Sequence, residues 1–117
     1  LRIGAREHKL TLIRRLLDEH PGLDLILVGD SGQIDPEIYA AIAQERPSRI
    51  RAIYIRRTAS TARVRNAEVD ALAARVSAAG VPMLAVDDSV QIAEHAASIG
   101  LLGPAAVDTV RTELTSA

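Results

Sequence analysis

The stretch LILVGDSGQIDPEIY, from Leu25 to Tyr39, decides the fold class of this 117-residue chain. Its first four residues form a continuous apolar run that is rich in β-formers and too short for a helix, which predicts a buried parallel strand. After a glycine-containing loop, the Asp-Pro-Glu sequence is typical of a helix start, with Asp35 as the N-cap and Pro36 at the first helical position. This order of strand, polar loop and helix is characteristic of α/β proteins.

The rest of the chain repeats this alternation. Strand patterns occur at Ile50–Ile55 and Pro82–Val86, and helical patterns at Lys9–Glu19, Pro36–Arg46, Arg63–Ala79, Ser89–Ile99 and Pro104–Leu114. Strands that alternate with helices through short connections predict a three-layer, Rossmann-like parallel sheet with helices on both faces. Three strands make a small sheet, however, and no strand precedes the first helix. We therefore expect an incomplete domain that lacks a strand, and a chain that starts at Leu1 instead of Met also suggests a fragment.

The amino-acid composition argues against several classes of protein. The hydrophobic fraction of 48% and the charged fraction of 25% are those of an ordinary globular protein. No apolar run approaches the ~20 residues of a membrane span, so we expect no transmembrane segment. A net charge of -1 and an almost complete lack of aromatic residues give no reason to expect a nucleic-acid partner. The absence of cysteine suits a reducing compartment, and we expect a cytoplasmic protein.

Asp30 and Asp35 are the candidate metal ligands. Asp30 directly follows the first strand, and open α/β sheets bind their ligands at the carboxyl ends of strands. Two carboxylates in one short loop suit Mg²⁺, which prefers oxygen ligands. The alternative is purely structural, with Asp30 and Ser31 forming a turn and Asp35 capping the helix.

Lys9 is a third candidate, because it is the only lysine among 14 basic residues. We expect it near the N-terminus of the first helix, where the helix dipole disfavours a cation, and this placement suggests a role in the same site. The alternative is an ordinary solvated surface lysine.

The segment from His8 to Arg57 resembles the catalytic domain of the App1-type phosphatidate phosphatases, which belong to the haloacid dehalogenase (HAD) superfamily. An HK pair that opens a helix, a helix that ends at a proline, the GDSGQxDPEIY loop and an AIYIR strand occur in the family's order. The resemblance continues less distinctively through GVPMLAVDDSVQIAEHAASIGLL, and so covers most of the chain.

This resemblance implies a HAD-like fold, dependence on Mg²⁺ and hydrolysis of a phosphate monoester, such as phosphatidate to diacylglycerol, through an aspartyl-phosphate. It implies that Lys9 neutralises the charge of nucleophile and phosphate, that Asp30 holds Mg²⁺ directly or through water, and that Asp35 assists it. The family's nucleophile lies in a DxDxT motif, which does not occur in these residues. Residues 1–117 are therefore expected to be the C-terminal part of the catalytic domain, inactive alone. The missing N-terminal segment or another chain is expected to pair with the exposed sheet edge.

The remaining candidates are weaker. Arg56, His8 and Ser31 are expected at the rim of the site, where an anionic phospholipid or another phosphate monoester would bind, with the protein peripheral at the membrane. A cluster of five arginines around the second strand suits an anionic headgroup or nucleic acid, but a solvated edge is favoured; its members are Arg46, Arg49, Arg51, Arg56 and Arg57. Two other function classes stay open, namely a non-catalytic α/β interaction module and a receiver-like domain.

Overall fold

A computed structural model describes residues 4–32, 34–58 and 62–103 of the chain. Its three strands form a parallel sheet in the order β1-β2-β3, so the predicted α/β class is confirmed. The predicted helix Pro104–Leu114 lies outside the described residues. The elements in chain order are α1 (Ala5–Glu19), β1 (Leu25–Asp30), α2 (Asp35–Glu45), a 3₁₀ turn (Pro47–Arg49), β2 (Ile50–Arg56), α3 (Arg63–Ala78), β3 (Met83–Val86) and α4 (Ser89–Ser98).

The register of β1 against β2 places their carboxyl ends side by side. Leu27 lies opposite Ile53, and the last residue of β1, Asp30, lies opposite the last residue of β2, Arg56. The pairing continues past the strand, because the Ser31 N–H donates to the Arg56 carbonyl at 2.9 Å. The loops that follow these two strands therefore begin next to each other at the carboxyl end of the sheet.

Helix α2 is central to the packing of the sheet and of the neighbouring helices. It packs against α1, α3 and both strands β1 and β2. The helical spacing of apolar residues that predicted these helices is the spacing that fills the core. Fully buried core side chains include Leu17 of α1, Ile38 and Ile42 of α2, and Val69 of α3. Each such side chain stabilises the fold by about 1.5–3 kcal/mol relative to an exposed one.

The two adjacent strands differ in their burial. In β2 the four consecutive residues from Ala52 to Ile55 have no exposure, so both faces of this strand are covered. In β1 only Leu27 is buried, whereas Ile26 and Val28 are 43% and 53% exposed. The prediction that β1 is buried on both faces was therefore wrong. Its apolar run reflects a strand at the edge of the described sheet, with one face open.

Several boundaries also differ from the predicted ones. Helix α1 begins at Ala5 instead of Lys9, because Ala, Arg and Glu are good helix formers and continue the helix towards its N-terminus. The 3₁₀ turn before β2 was not predicted. None of the helices within the described ranges is long and apolar enough to cross a membrane.

The chain forms two compact units, Leu1–Ala85 and Val86–Ala117. In the first unit, α3 ends before Gly80, whose φ of 115° favours glycine. In the second unit, the Asp88 side chain accepts a hydrogen bond of 3.0 Å from the Gln91 N–H and so caps the N-terminus of α4.

Candidate functional site

An ion pair links the loop after β1 to the first helix. Lys9 Nζ lies 2.5 Å from Asp35 Oδ1, and the Asp35 side chain is only 11% exposed. The predicted N-cap role of Asp35 was wrong, since the N-cap of α2 is Ile34 and Asp35 is the first helical residue. Its carboxylate accepts a hydrogen bond from Lys9 instead of from a backbone N–H of its own helix. Asp35 is therefore a buried carboxylate that is fixed by a cation.

Lys9 lies deeper in its helix than the sequence suggested. Because α1 begins at Ala5, Lys9 is in the second turn, where the helix dipole argues less strongly against a cation. Its side chain is still 45% exposed. The hydrogen bond to Asp35 raises the pKa of Lys9 above its ordinary value, against a smaller opposing effect of desolvation. Lys9 is thus a charged partner of Asp35 and not an isolated surface lysine.

Gly29 lets the start of α2 approach β1 closely. A Cβ atom at this position would lie 2.7 Å from the Asp35 Cβ, 2.8 Å from Asp35 Oδ2 and 3.0 Å from Tyr39 Cε2. The Tyr39 hydroxyl also donates to the Val28 carbonyl at 3.2 Å. A side chain at position 29 would therefore displace Asp35 from the strand.

Asp30 stands at the carboxyl end of β1 and is more open than Asp35. Its side chain is 41% exposed, and Arg56 Nε lies 3.6 Å from Oδ1, too far for a hydrogen bond. Burial raises the pKa of Tyr39, and the charges of Asp35, Lys9 and Asp30 also act on this pKa. The charges of the two acids and of the lysine therefore all lie near enough to Tyr39 to act on its hydroxyl group. The three strongest sequence-based candidates are neighbours in the structure.

The three residues predicted at the rim of the site differ in their exposure and in their contacts. Ser31 has no exposure, its hydroxyl accepts from the Thr58 N–H at 3.4 Å, and its carbonyl accepts from Arg65. A buried serine of this kind holds the loop and does not present its hydroxyl at an open rim. His8 is exposed on α1. Arg56 is half-exposed beside Asp30, as a rim residue would be.

Arg65 is a functional candidate that the sequence reasoning missed. It lies in the first turn of α3, and its Nε donates to the Ser31 carbonyl at 3.0 Å. The two terminal nitrogens of its guanidinium donate to the two carboxylate oxygens of Glu37. These hydrogen bonds lower the pKa of Glu37 and raise that of Arg65. A cation in the first turn of a helix was the signal used for Lys9, and the same signal is present at Arg65.

The five arginines around β2 do not form one patch. Arg49 donates to the carbonyls of Leu17, His20 and Leu23 at the amino end of β2. At that end Arg46 and Arg51 also pair with aspartates, whereas Arg56 lies at the opposite end of the strand. The structure therefore offers no continuous basic surface from these residues, and Arg49 is a partly buried structural cation instead of a solvated one.

The described residues do not form a metal site by themselves. In residues 4–32, 34–58 and 62–103 no group of three or more His, Cys, Asp or Glu side chains is placed to hold a metal ion. Asp30 and Asp35 do provide carboxylate oxygens, and Mg²⁺ is often held by one or two carboxylates with water and phosphate oxygens completing its shell. The chemistry of this donor set fits an open Mg²⁺ site.

A cavity of about 580 Å³ lies beside the loop that carries these acids. Its lining brings together the start of α1, the loop and Arg65 of α3. Two arginines, Arg6 and Arg65, contribute to the wall together with Glu37. The site region therefore has an open volume next to it.

The comparisons with known proteins concern the segment that forms this site. The family described as "Phosphatidate phosphatase APP1, catalytic domain" matches residues 1–57. Phosphatidate phosphatase APP1 of Saccharomyces cerevisiae is 46% identical over 53 residues, which are 45% of this chain and 9% of the yeast protein. The chain thus spans only a small part of this relative's length. No solved structure matches the chain.

The matched segment runs from α1 to the end of β2 and includes Lys9, Asp30, Asp35 and Arg56. The less distinctive resemblance in residues 80–102 lies outside it. The sequence match therefore covers the elements that carry the two acids and the lysine. Residues 1–57 are thus similar in sequence to the APP1-type phosphatidate phosphatase catalytic domain.

Proposed function

We propose that this chain supplies part of the active site of a Mg²⁺-dependent phosphatase that hydrolyses a phosphate monoester of the phosphatidate class. The observation that carries the proposal is the grouping of Lys9, Asp30 and Asp35 at the carboxyl end of β1, within the family-matched segment. Carboxylates with a nearby ammonium group suit the binding of a metal ion and a phosphate together. No other described cluster combines these groups with the family match.

Each of the three residues has a separate role in this proposal. Asp30, the more exposed acid, holds the metal directly or through water. Asp35, buried and fixed by Lys9, sets the position of the Lys9 ammonium group and contributes a second carboxylate. Lys9 stabilises the negative charge of the bound phosphate. Bound Mg²⁺ would neutralise phosphate charge and stabilise the charge that develops in the transition state.

The nucleophile must come from residues that this sequence does not contain. Covalent phosphoryl transfer in the proposed family needs the aspartate of a DxDxT motif, which is absent from residues 1–117. We propose that a strand carrying it pairs with the edge of β1, which has no partner among the described strands. A parallel neighbour there would end beside Asp30.

The substrate proposal follows from the family. The yeast relative is named a phosphatidate phosphatase, and we extend that substrate class to the protein that contains this chain. A lipid phosphate lies in a membrane surface, so the proposal also makes the enzyme a cytoplasmic protein that works peripherally at that surface.

The test is phosphate release from phosphatidate vesicles with Mg²⁺, by a protein that joins this chain to a DxDxT-bearing segment. Asp30→Asn should reduce activity by about 100-fold or more, because even groups that only orient a metal ligand affect activity about 10–100-fold. Arg14→Gln is the matched control, since it removes an exposed ion pair with Glu45 away from the loop. Equal activity of Asp30→Asn and the control would overturn the proposal and favour a non-catalytic module.

The chain alone provides a second arm of this test. It should release no phosphate from phosphatidate with Mg²⁺, because it contains no DxDxT motif. Measurable turnover by the isolated chain would show that the nucleophile lies within residues 1–117, and the proposed division of the site would be wrong.

A further inference from the structure

The structure assigns to Arg65 the positioning of the loop that carries Asp30 and Asp35. The assignment deepens the proposed function, on which the meaning of this loop rests. Arg65 belongs to α3 and lies beyond residues 1–57, so the family match gives it no role.

The contacts of Arg65 bracket the loop at both ends. Its Nε donates to the Ser31 carbonyl, one residue after Asp30, at 3.0 Å. Its Nη2 donates to Glu37 Oε2 at 2.9 Å, two residues after Asp35, and its Nη1 donates to Glu37 Oε1. One planar guanidinium therefore fixes the loop just beyond each of the two acids.

The geometry of these contacts requires arginine. A bidentate pair with a carboxylate uses two parallel N–H groups, and the third direction of the guanidinium fork reaches the Ser31 carbonyl. A lysine ammonium could pair with Glu37, but it lacks the rigid fork that holds both partners in one geometry. The Arg65 side chain is 24% exposed, so water competes only partly for these hydrogen bonds.

Ser31 transmits this restraint to the sheet. It has no exposure, and its N–H donates to the carbonyl of Arg56, the last residue of β2. Ser31, the residue after Asp30, is thus held by β2 through its N–H and by Arg65 through its carbonyl. Displacement of Arg65 should free the loop without disturbing the buried residues of β2.

Hydrogen exchange of the chain tests this assignment without any metal or substrate. The readout is the exchange rate of the Ser31 amide divided by that of the buried Ile53 and Ile55 amides, which report global unfolding. For Arg65→Gln and Arg65→Lys we expect this ratio to rise at least about tenfold, a local opening free energy lower by ~1.4 kcal/mol. A merely structural role would raise all three rates together and leave the ratio unchanged.

Arg14→Gln is the matched control, because Arg14 makes a comparable two-point contact with Glu45 between α1 and α2. Its ratio should equal that of the wild type. An unchanged ratio in Arg65→Gln, or full rescue by Arg65→Lys, would overturn the assignment, since the latter would show that charge alone suffices.

A Mg²⁺ titration of the same variants separates this assignment from the proposed function. If Asp30 shifts on addition of Mg²⁺ in the wild type, Arg65→Gln should weaken that response by about 10–100-fold and Arg14→Gln should not. Absence of any Mg²⁺ response in the wild type would count against the metal proposal alone. The exchange ratio would then still decide the role of Arg65.

Discussion

The arginine side chains at the two ends of the sheet have different kinds of partner. At the amino end of β2, Arg49 donates to three backbone carbonyls near the end of α1. These hydrogen bonds connect the end of α1 to the turn before β2. At the carboxyl end of β1, Arg65 and Lys9 hold a loop whose exposed acid, Asp30, has only a distant partner in Arg56. The partners of a cation, and not its place in a basic stretch of sequence, therefore distinguish a structural residue from a candidate site residue.

Gly29→Ala, at the carboxyl end of β1, should have the largest effect on the stability of the fold. The added Cβ would lie within 3 Å of Asp35 atoms and could not be accommodated without displacing the loop. We expect the free energy of unfolding to fall by about 2–3 kcal/mol, measured by urea denaturation. Gly22→Ala is the control, because no atom lies within 4 Å of the corresponding Cβ position. Equal stability of the two variants would contradict the close packing at Gly29.

Arg49→Met should destabilise the fold at the amino end of β2 and leave the loop after β1 unchanged. It removes the charged donor for the carbonyls of Leu17, His20 and Leu23, which should lower the free energy of unfolding by about 1.5–3 kcal/mol. Arg51→Met removes only an exposed contact at 3.7 Å and should cost less than about 0.5 kcal/mol. Amide chemical shifts of residues 30–35 that move in Arg49→Met would show that the two ends are not independent.

Lys9→Met should have a smaller effect, at the site end. It leaves the buried Asp35 carboxylate without its ammonium partner, and we expect a loss of about 1–2 kcal/mol, reduced by the half-exposure of Lys9. Asp35→Asn added to Lys9→Met should recover part of that loss, since the uncompensated charge is then removed. A double-mutant cycle in urea measures this coupling, and a coupling energy of zero would mean that the ion pair does not form.

The pH dependence of the Arg65–Glu37 pair should give the smallest effect. Hydrogen bonds from Arg65 lower the pKa of Glu37 from its ordinary 4.5, so the pair stabilises the folded state above pH 4.5 and is lost as pH falls through the lowered value. The difference in thermal midpoint between the wild type and Glu37→Gln should therefore be largest near neutral pH. It should shrink as the pH falls below about 4.5. A difference that grows in acid would have the wrong sign for this pair.

The fold class was predictable, and the candidate site residues could be selected, because their signals are local. An apolar run followed by GDSGQIDP indicates a strand, a loop and a helix start without knowledge of distant residues. The Lys9–Asp35 pair is a contact between residues 26 positions apart. The position of the single lysine and the resemblance to a known family suggested a shared site, but not this ion pair.

The features that sequence reasoning missed depend on tertiary contacts. The N-cap of α2 moved to Ile34 because the Asp35 carboxylate bonds to Lys9, which no local pattern reveals. Arg65 contacts Ser31, which lies 34 positions earlier in the sequence, and no local pattern in the sequence of α3 indicates this partner. The exposure of Ile26 and Val28 was missed because an apolar run does not indicate whether its strand lies at an edge.

The most direct test of the central claim is a Mg²⁺ titration of the isotope-labelled 117-residue chain followed by NMR. The account predicts saturable shifts that centre on Asp30 and the adjoining loop, disappear in Asp30→Asn and persist in Asp88→Asn, whose side chain caps α4. Shifts that are absent, or that are unchanged by Asp30→Asn, would contradict the assignment of the carboxyl end of β1 as the metal-binding part of the site.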